Sequence, residues 1–261
     1  MNGAMYVAKT GLSAQDTQLK VISNNLANVS TVGFKKDRAV FEDLLYQVQR
    51  APGADSAAGT QLPSGLQLGN GVRVVGTQKQ FTGGEVQITD QPFDVAINGN
   101  GFFQVTLPTG EIGYTRNGQF HLNGNNELTT AEGLLIEPAI TLPAEVNNFS
   151  VGVDGSVTVT TAGNTVPQNI GQLTLASFVN PAGLLAQGQN LFTETASSGA
   201  PIVDNPGQAG LGQTRQNMLE ASNVSAVEEL VNMITTQRAY EINSKVISTA
   251  DEMLSFINQQ L

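Results

Sequence analysis

The chain has 261 residues, 40% hydrophobic and only 13% charged, with 28 glycines, one histidine and no cysteine. That balance argues against a plain helical bundle and for turn-rich β structure, and the missing cysteine excludes disulfides, thiolate nucleophiles and cysteine-based metal sites. Net charge is −10. Between Val74 and Thr214 only Lys79 and Arg116 oppose eleven acids, so this middle repels phosphate and nucleic acid is not an expected partner.

Residues 3 to 28 read as a helix of about 39 Å at ~1.5 Å per residue. Met5, Ala8, Leu12, Gln15, Leu19, Ile22, Leu26 and Val29 recur at heptad a/d spacing. Its end carries Asn24, Asn25 and Asn28, poor helix-interior residues whose amides are expected to bond neighbouring helices or subunits. Gly33 then terminates the helix. The first 28 residues contain no apolar leader core, because Lys9, Gln15, Asp16, Gln18 and Lys20 interrupt them. No stretch reaches the roughly 18 apolar residues of a membrane span. Export, if it occurs, is expected without a cleaved leader.

Phe34 to Arg50 reads as extended chain or a short strand and turn, and Ala51 to Gly65, rich in Pro, Gly and Ser, as a loop or linker. From Gly71 the pattern becomes short alternating strands. Asn98-Gly99, Asn100-Gly101, Asn117-Gly118, Asn123-Gly124 and Asp154-Gly155 supply hairpin signals, and the sum points to an antiparallel sheet or barrel. Residues 185 to 220 read mostly as loop. Ser225-Ala-Val-Glu228 then opens a second helix as a capping box. Ile247, Ala250, Leu254, Ile257 and Leu261 form one stripe along it, and its length is about 55 Å.

The expected fold is therefore α+β: N- and C-terminal helices forming a discontinuous coiled coil around an inserted antiparallel β-rich domain. The divisions are 1–30 with 222–261 for the helices, 31–70 for an extended linker or insertion, and 71–221 for the β domain. Two helices alone leave their stripes wet, so copies of the chain are expected to cover them. No catalytic constellation appears. His121 is the sole imidazole, which removes His clusters and gives no support to a triad. Gly99-Asn-Gly101 lacks the third glycine and the following helix of a dinucleotide loop. The expectation is no enzyme, no cofactor and no metal. A secreted β-rich carbohydrate-binding or adhesive module with coiled-coil ends is the alternative these residues leave open.

Ser23-Asn-Asn-Leu-Ala-Asn-Val-Ser-Thr-Val-Gly-Phe-Lys35 resembles the N-terminal signature of the bacterial flagellar rod and hook proteins. Glu220-Ala-Ser-Asn-Val224 and Gln237-Arg-Ala-Tyr-Glu-Ile-Asn243 resemble the C-terminal one, and Phe93 to Phe103 and Tyr114 to Phe120 resemble the family's middle. Ala226 stands where the family usually has an acidic residue. Tyr46 to Gly71 is similar to the long insertion of the distal-rod members, and the chain is short for a hook protein. The resemblance implies a helical homopolymer forming a straight, rigid rod that passes torque to the hook, with a proximal-rod or hook-type role as the alternative within the family. It implies as partners the proximal rod proteins, the hook protein or hook–rod junction, the peptidoglycan and outer-membrane ring proteins, and the flagellar type III export apparatus, in a rod spanning the periplasm. The residues it places in subunit assembly are Leu12, Leu19, Ile22, Asn24, Asn25, Leu26, Asn28, Gly33, Phe34, Leu62, Pro63, Gln237, Arg238, Tyr240, Asn243, Ile247, Leu254 and Ile257.

Overall fold

A computed structural model describes residues 3–53, 55–57, 60–61, 64–143, 145–161 and 164–260. The chain divides into two units. One contains Met1–Ala27, Asp37–Gln78 and Ser225–Leu261, and the other Asn28–Lys36 and Lys79–Val224.

The first unit is helical, with a β arm. α1 spans Gly3–Ala27 and α2 spans Ala226–Gln260, and the two pack against each other. The heptad stripe of α1 faces inward as its spacing requires. Ala8 and Ile22 are buried, Met5, Leu12, Gln15, Leu19 and Leu26 are half-buried, and Ala14, Val21 and Asn25 widen the stripe. Ser225 caps α2: its Oγ accepts from the Glu228 N–H at 3.5 Å, and its carbonyl accepts from Glu229 N–H at 3.0 Å.

The stretch read as extended chain or short strand, then as loop or linker, forms a long two-stranded arm. β1 (Asp37–Asp43) pairs with β6 (Val72–Lys79). Beyond them β2 (Gln47–Arg50) pairs antiparallel with β5 (Leu66–Leu68), and β3 (Asp55–Ala57) with β4 (Thr60–Gln61). Pro, Gly and Ser therefore mark the far part of a hairpin, not a tether. Cross-strand side chains fix the register at its base, with Arg38 donating to Gln78 at 3.1 Å and Arg73 paired to Glu42 at 2.8 Å.

The second unit is β-rich. It contains β7 (Val86–Ile88), β8 (Val95–Asn98), β9 (Phe102–Thr106), β10 (Ile112–Thr115), β11 (Phe120–Leu122), β12 (Leu128–Thr130) and β13 (Ile136–Glu137). There follow β14 (Val146–Val151), β15 (Ser156–Thr161), β16 (Asn164–Gln172), β17 (Leu175–Ser177), β18 (Leu185–Gly188), β19 (Leu191–Thr193), β20 (Ile202–Asp204), β21 (Gln213–Gln216) and β22 (Met218–Glu220). The main sheet runs β18-β19-β10-β9-β17-β20, with β13 also on β9, and β14-β15-β16 form a second sheet. Much of 185–220, read as loop, is thus strand.

β9 lies at the centre of the main sheet, and successive side chains on a strand point to opposite faces. Phe103 and Val105 enter one core with Val95, Phe120, Leu128 and Leu175, whereas Phe102 enters another with Tyr114, Phe178 and Phe192. Phe103 meets Phe120 edge-on at 5.0 Å, and Phe102 meets Phe178 edge-on at 5.9 Å.

Two Asn/Asp-Gly signals close true hairpins: Asn123-Gly124 joins β11 to β12, and Asp154-Gly155 joins β14 to β15. Asn98 to Gly101 does not. β8 pairs with β21, not with β9, so these residues carry the chain from one sheet to another. Gly99, at φ +122°, lies where an added Cβ would meet Gly212 Cα at 2.7 Å. The glycine there answers a close backbone approach rather than a hairpin turn.

Candidate assembly surface

In the helical unit, small residues form part of the face of α1 turned to the fold, and large ones are left outside. Ala8, Gly11 and Ala14 are buried or half-buried, and an added Cβ on Gly11 would stand 3.1 Å from the Asn243 amide nitrogen. Tyr6 and Val7 are exposed on α1. On α2, Glu229, Thr236 and Ala250 are buried, and Ala239, Asn243 and Ile247 are half-buried on that same side. Val227, Val231, Ile234, Ile242 and Phe256 lie on the opposite side, 52% to 73% exposed. At 100° per residue these five fall within one sector of the helix, with Arg238 among them. α2 therefore carries two apolar faces, and α1 occupies one. The outer face repeats at steps of four and three from Val227, a stripe separate from the one through Ile247.

Beyond its base, where Ala39 of β1 is buried, the arm is open at β2 and β5. All four residues of β2 and all three of β5 are exposed, and Leu45, Tyr46, Val48, Leu66 and Leu68 present apolar side chains. A groove of about 1050 Å³ lies between the start of α1 and this arm, lined among others by Tyr6, Val7, Leu44, Leu45 and Leu68. A two-stranded ribbon without cover is marginal in water.

The expected assembly residues divide between these surfaces and the interior. Gln237, Arg238 and Tyr240 are exposed, as is Leu254 at 38%, while Leu12, Leu19, Leu26, Asn243 and Ile247 are half-buried and Ile22 is buried. Asn24 is exposed. Asn25 bonds within its own chain: its amide donates to Asp37 O and accepts from Asp37 N–H, both at 2.9 Å, as a strand neighbour would. Asn28 is half-buried and accepts from the Thr31 hydroxyl at 3.1 Å. Leu62 and Pro63 lie outside the described residues, as does the side chain of Ile257.

Gly33 and Phe34 are buried inside the β unit. Gly33 has φ +70°, and a Cβ there would stand 2.7 Å from the Arg116 carbonyl carbon. Lys79 Nζ lies 5.3 Å from the centre of the Phe34 ring. Beside them is a buried ionic cluster that residue spacing does not reveal, since its members are far apart in sequence. Lys35 Nζ donates to Glu220 Oε1 at 2.6 Å and to Thr82 O at 2.7 Å. Arg116 Nη1 donates to Glu220 Oε2 at 3.2 Å, and its Nη2 to Gly99 O at 2.7 Å. Gly84 N–H also donates to Glu220, at 2.9 Å. Burial lowers the Lys35 and Arg116 pKa values from their ordinary ones, opposed in each case by the Glu220 charge. His121 sits exposed on β11, opposite Thr129.

Comparison with known proteins accounts for the ends and the middle together. A family described as "Flagella basal body rod protein" matches residues 5–35, "Flagellar hook protein FlgE/F/G D1 domain" matches 96–159, and "Flagellar basal body rod FlgEFG protein C-terminal" matches 215–260. Flagellar basal-body rod protein FlgG of Buchnera aphidicola subsp. Schizaphis graminum is 55% identical over 98% of each chain. The chain belongs to the flagellar basal-body rod protein family. In Caulobacter vibrioides, FlgG is 46% identical to this rod protein over 98% of each chain. FlgF of the same bacterium is 33% identical over 97% of this chain and 95% of its own. The rod protein is thus a structural subunit of the flagellar basal body, of the FlgG kind rather than the FlgF kind. The relatives are structural components of the flagellum, and the family assembles with itself into an axial structure. Among the described residues no helix is long and apolar enough to cross a membrane. Both terminal matches run past the helices, to Lys35 at one end and across Glu220 at the other. They therefore take in two members of the buried cluster as well as the helical faces.

Proposed function

We propose that the chain polymerises into the distal rod, a straight and stiff column that carries torque from the motor to the hook. The outer apolar face of α2 is the observation that carries this reading. Burying one Val, Ile or Phe side chain is worth about 1.5–3 kcal/mol, and a monomer leaves five of them wet along a single helix. Copies stacked by a rotation that does not close would cover the face on every subunit and build a helical filament. In that filament α1 and α2 supercoil as the inner tube, with Gln237, Arg238 and Tyr240 at contacts between copies, and the β unit makes the outer layer. The arm from β1 to β6 wedges between subunits, which favours the distal rod over a proximal or hook-type role.

The proximal rod then lies below, the hook or hook–rod junction above, and ring proteins of the peptidoglycan and outer membrane around, within the periplasm. Export by the flagellar type III apparatus, uncleaved, suits helices that become fully stable only once covered. The role is mechanical, with no catalytic step and no cofactor. Ile234→Asp together with Ile242→Asp tests it. The variant monomer should keep its helical content and form no filament at concentrations where the parent does. Filaments of normal appearance from the variant would refute the reading.

A further inference from the structure

The backbone passes between the β unit and the helical unit four times, at Ala27–Asn28, Lys36–Asp37, Gln78–Lys79 and Val224–Ser225, by way of three segments of the β unit: 28–36, the start of 79–224 and its end. Asn223 bonds to all three segments on the β-unit side. Its Oδ1 accepts from Lys36 N–H at 2.7 Å, and its Nδ2 donates to Gln80 O at 2.8 Å and to Thr82 Oγ1 at 2.9 Å. Its own segment is the third. The backbone adds Gln80 N–H to Lys36 O at 2.9 Å and Gly33 N–H to Glu220 O at 2.8 Å. Three residues before Asn223, the Glu220 carboxylate takes Lys35 from the first segment, Gly84 from the second and Arg116 from the sheet.

We propose that Asn223, anchored by the Lys35–Glu220–Arg116 cluster, is a mechanical tie that binds the three segments carrying these crossings into one cable. This rests on the rod reading above. A load arriving on the helical unit, through its helices or its arm, would then enter the β unit through three segments at once. Hydrogen bonds that share a load yield together, whereas an untied set would open one strand at a time. The ionic cluster lies below the surface, with Lys35 and Glu220 1% and 2% exposed, so water does not compete for its bonds.

Hydrogen exchange on the full-length monomer tests the tie, with Asn223→Ala and Asn223→Asp as variants. In Asn223→Ala, exchange across 33–36 and 80–84 should rise about tenfold while 95–105 stays unchanged. Asn223→Asp keeps the acceptor for Lys36 N–H and loses the donor, so its rise should be confined to 80–84. Cells carrying Asn223→Ala should swim normally in dilute medium and lose most of their speed in viscous medium. Unchanged exchange at the crossings, a uniform rise through the β unit, or equal slowing in both media would overturn the proposal. The exchange arm is read on the monomer, so it is independent of polymerisation. Failure of the parent chain to form filaments would sink the rod reading alone.

Discussion

Glu220 stands between two buried cations and gives each of them a partner. Breaking such a group by removing one member costs far more than the group's net worth, because an uncompensated charge stays behind. Glu220→Gln should therefore destabilise the chain by about 3–5 kcal/mol, read as a lower urea midpoint for the β unit. A shift no larger than that of a surface substitution would show the cluster to be incidental. Tyr114 offers a pH-dependent check on the second core. Its phenol is buried, and that burial, with the nearby Glu194 charge, raises its pKa above the ordinary 10.0. The folded chain then holds this proton where the unfolded chain has lost it. The stability it contributes is present in full below pH 10.0 and falls as pH rises through the higher folded value. Tyr114→Phe should flatten the alkaline decline in stability, measured by urea unfolding across that range.

The elements follow the sequence unevenly, for physical reasons. α1 was legible because its inward face repeats at 3-4 spacing and because Gly33 follows it. α2 was legible in its cap and length, but only one of its apolar faces was, since Arg238 interrupts the other. The β arm was not legible: Pro52, Gly53, Pro63 and Gly65 are loop formers by composition, and only the flanking pairs Gln47–Leu68 and Val48–Gln67 reveal a ribbon. Asn98-Gly99 misled for the opposite reason, since the same dipeptide serves a hairpin or a close backbone crossing. The ionic cluster had no periodicity to read at all. Gly33, Phe34 and Asn25, expected at subunit contacts, are buried against their own chain. Deleting residues 47–68 removes β2 to β5 and leaves β1 and β6 to pair. The monomer should still fold, and its rods should be curved or less rigid in electron micrographs. Rods as straight as those of the parent would assign stiffness to another element.

At the scale of the whole molecule, the chain separates two tasks. The β unit buries its own apolar side chains in two cores and closes its entry and exit strands with a buried charge cluster. The helical unit keeps large apolar side chains on the outside, where a monomer gains nothing from them. A subunit that must remain soluble before assembly and rigid afterwards has reason to divide its chain in this way. The cysteine-free sequence allows this to be measured with single cysteines at Val231 or Ile242. Maleimide labelling should be fast in the dilute monomer and at least about tenfold slower in assembled rods, as expected for positions withdrawn from water. Equal labelling in monomer and rod would mean that the outer face of α2 stays wet after assembly, and would contradict the account at its centre.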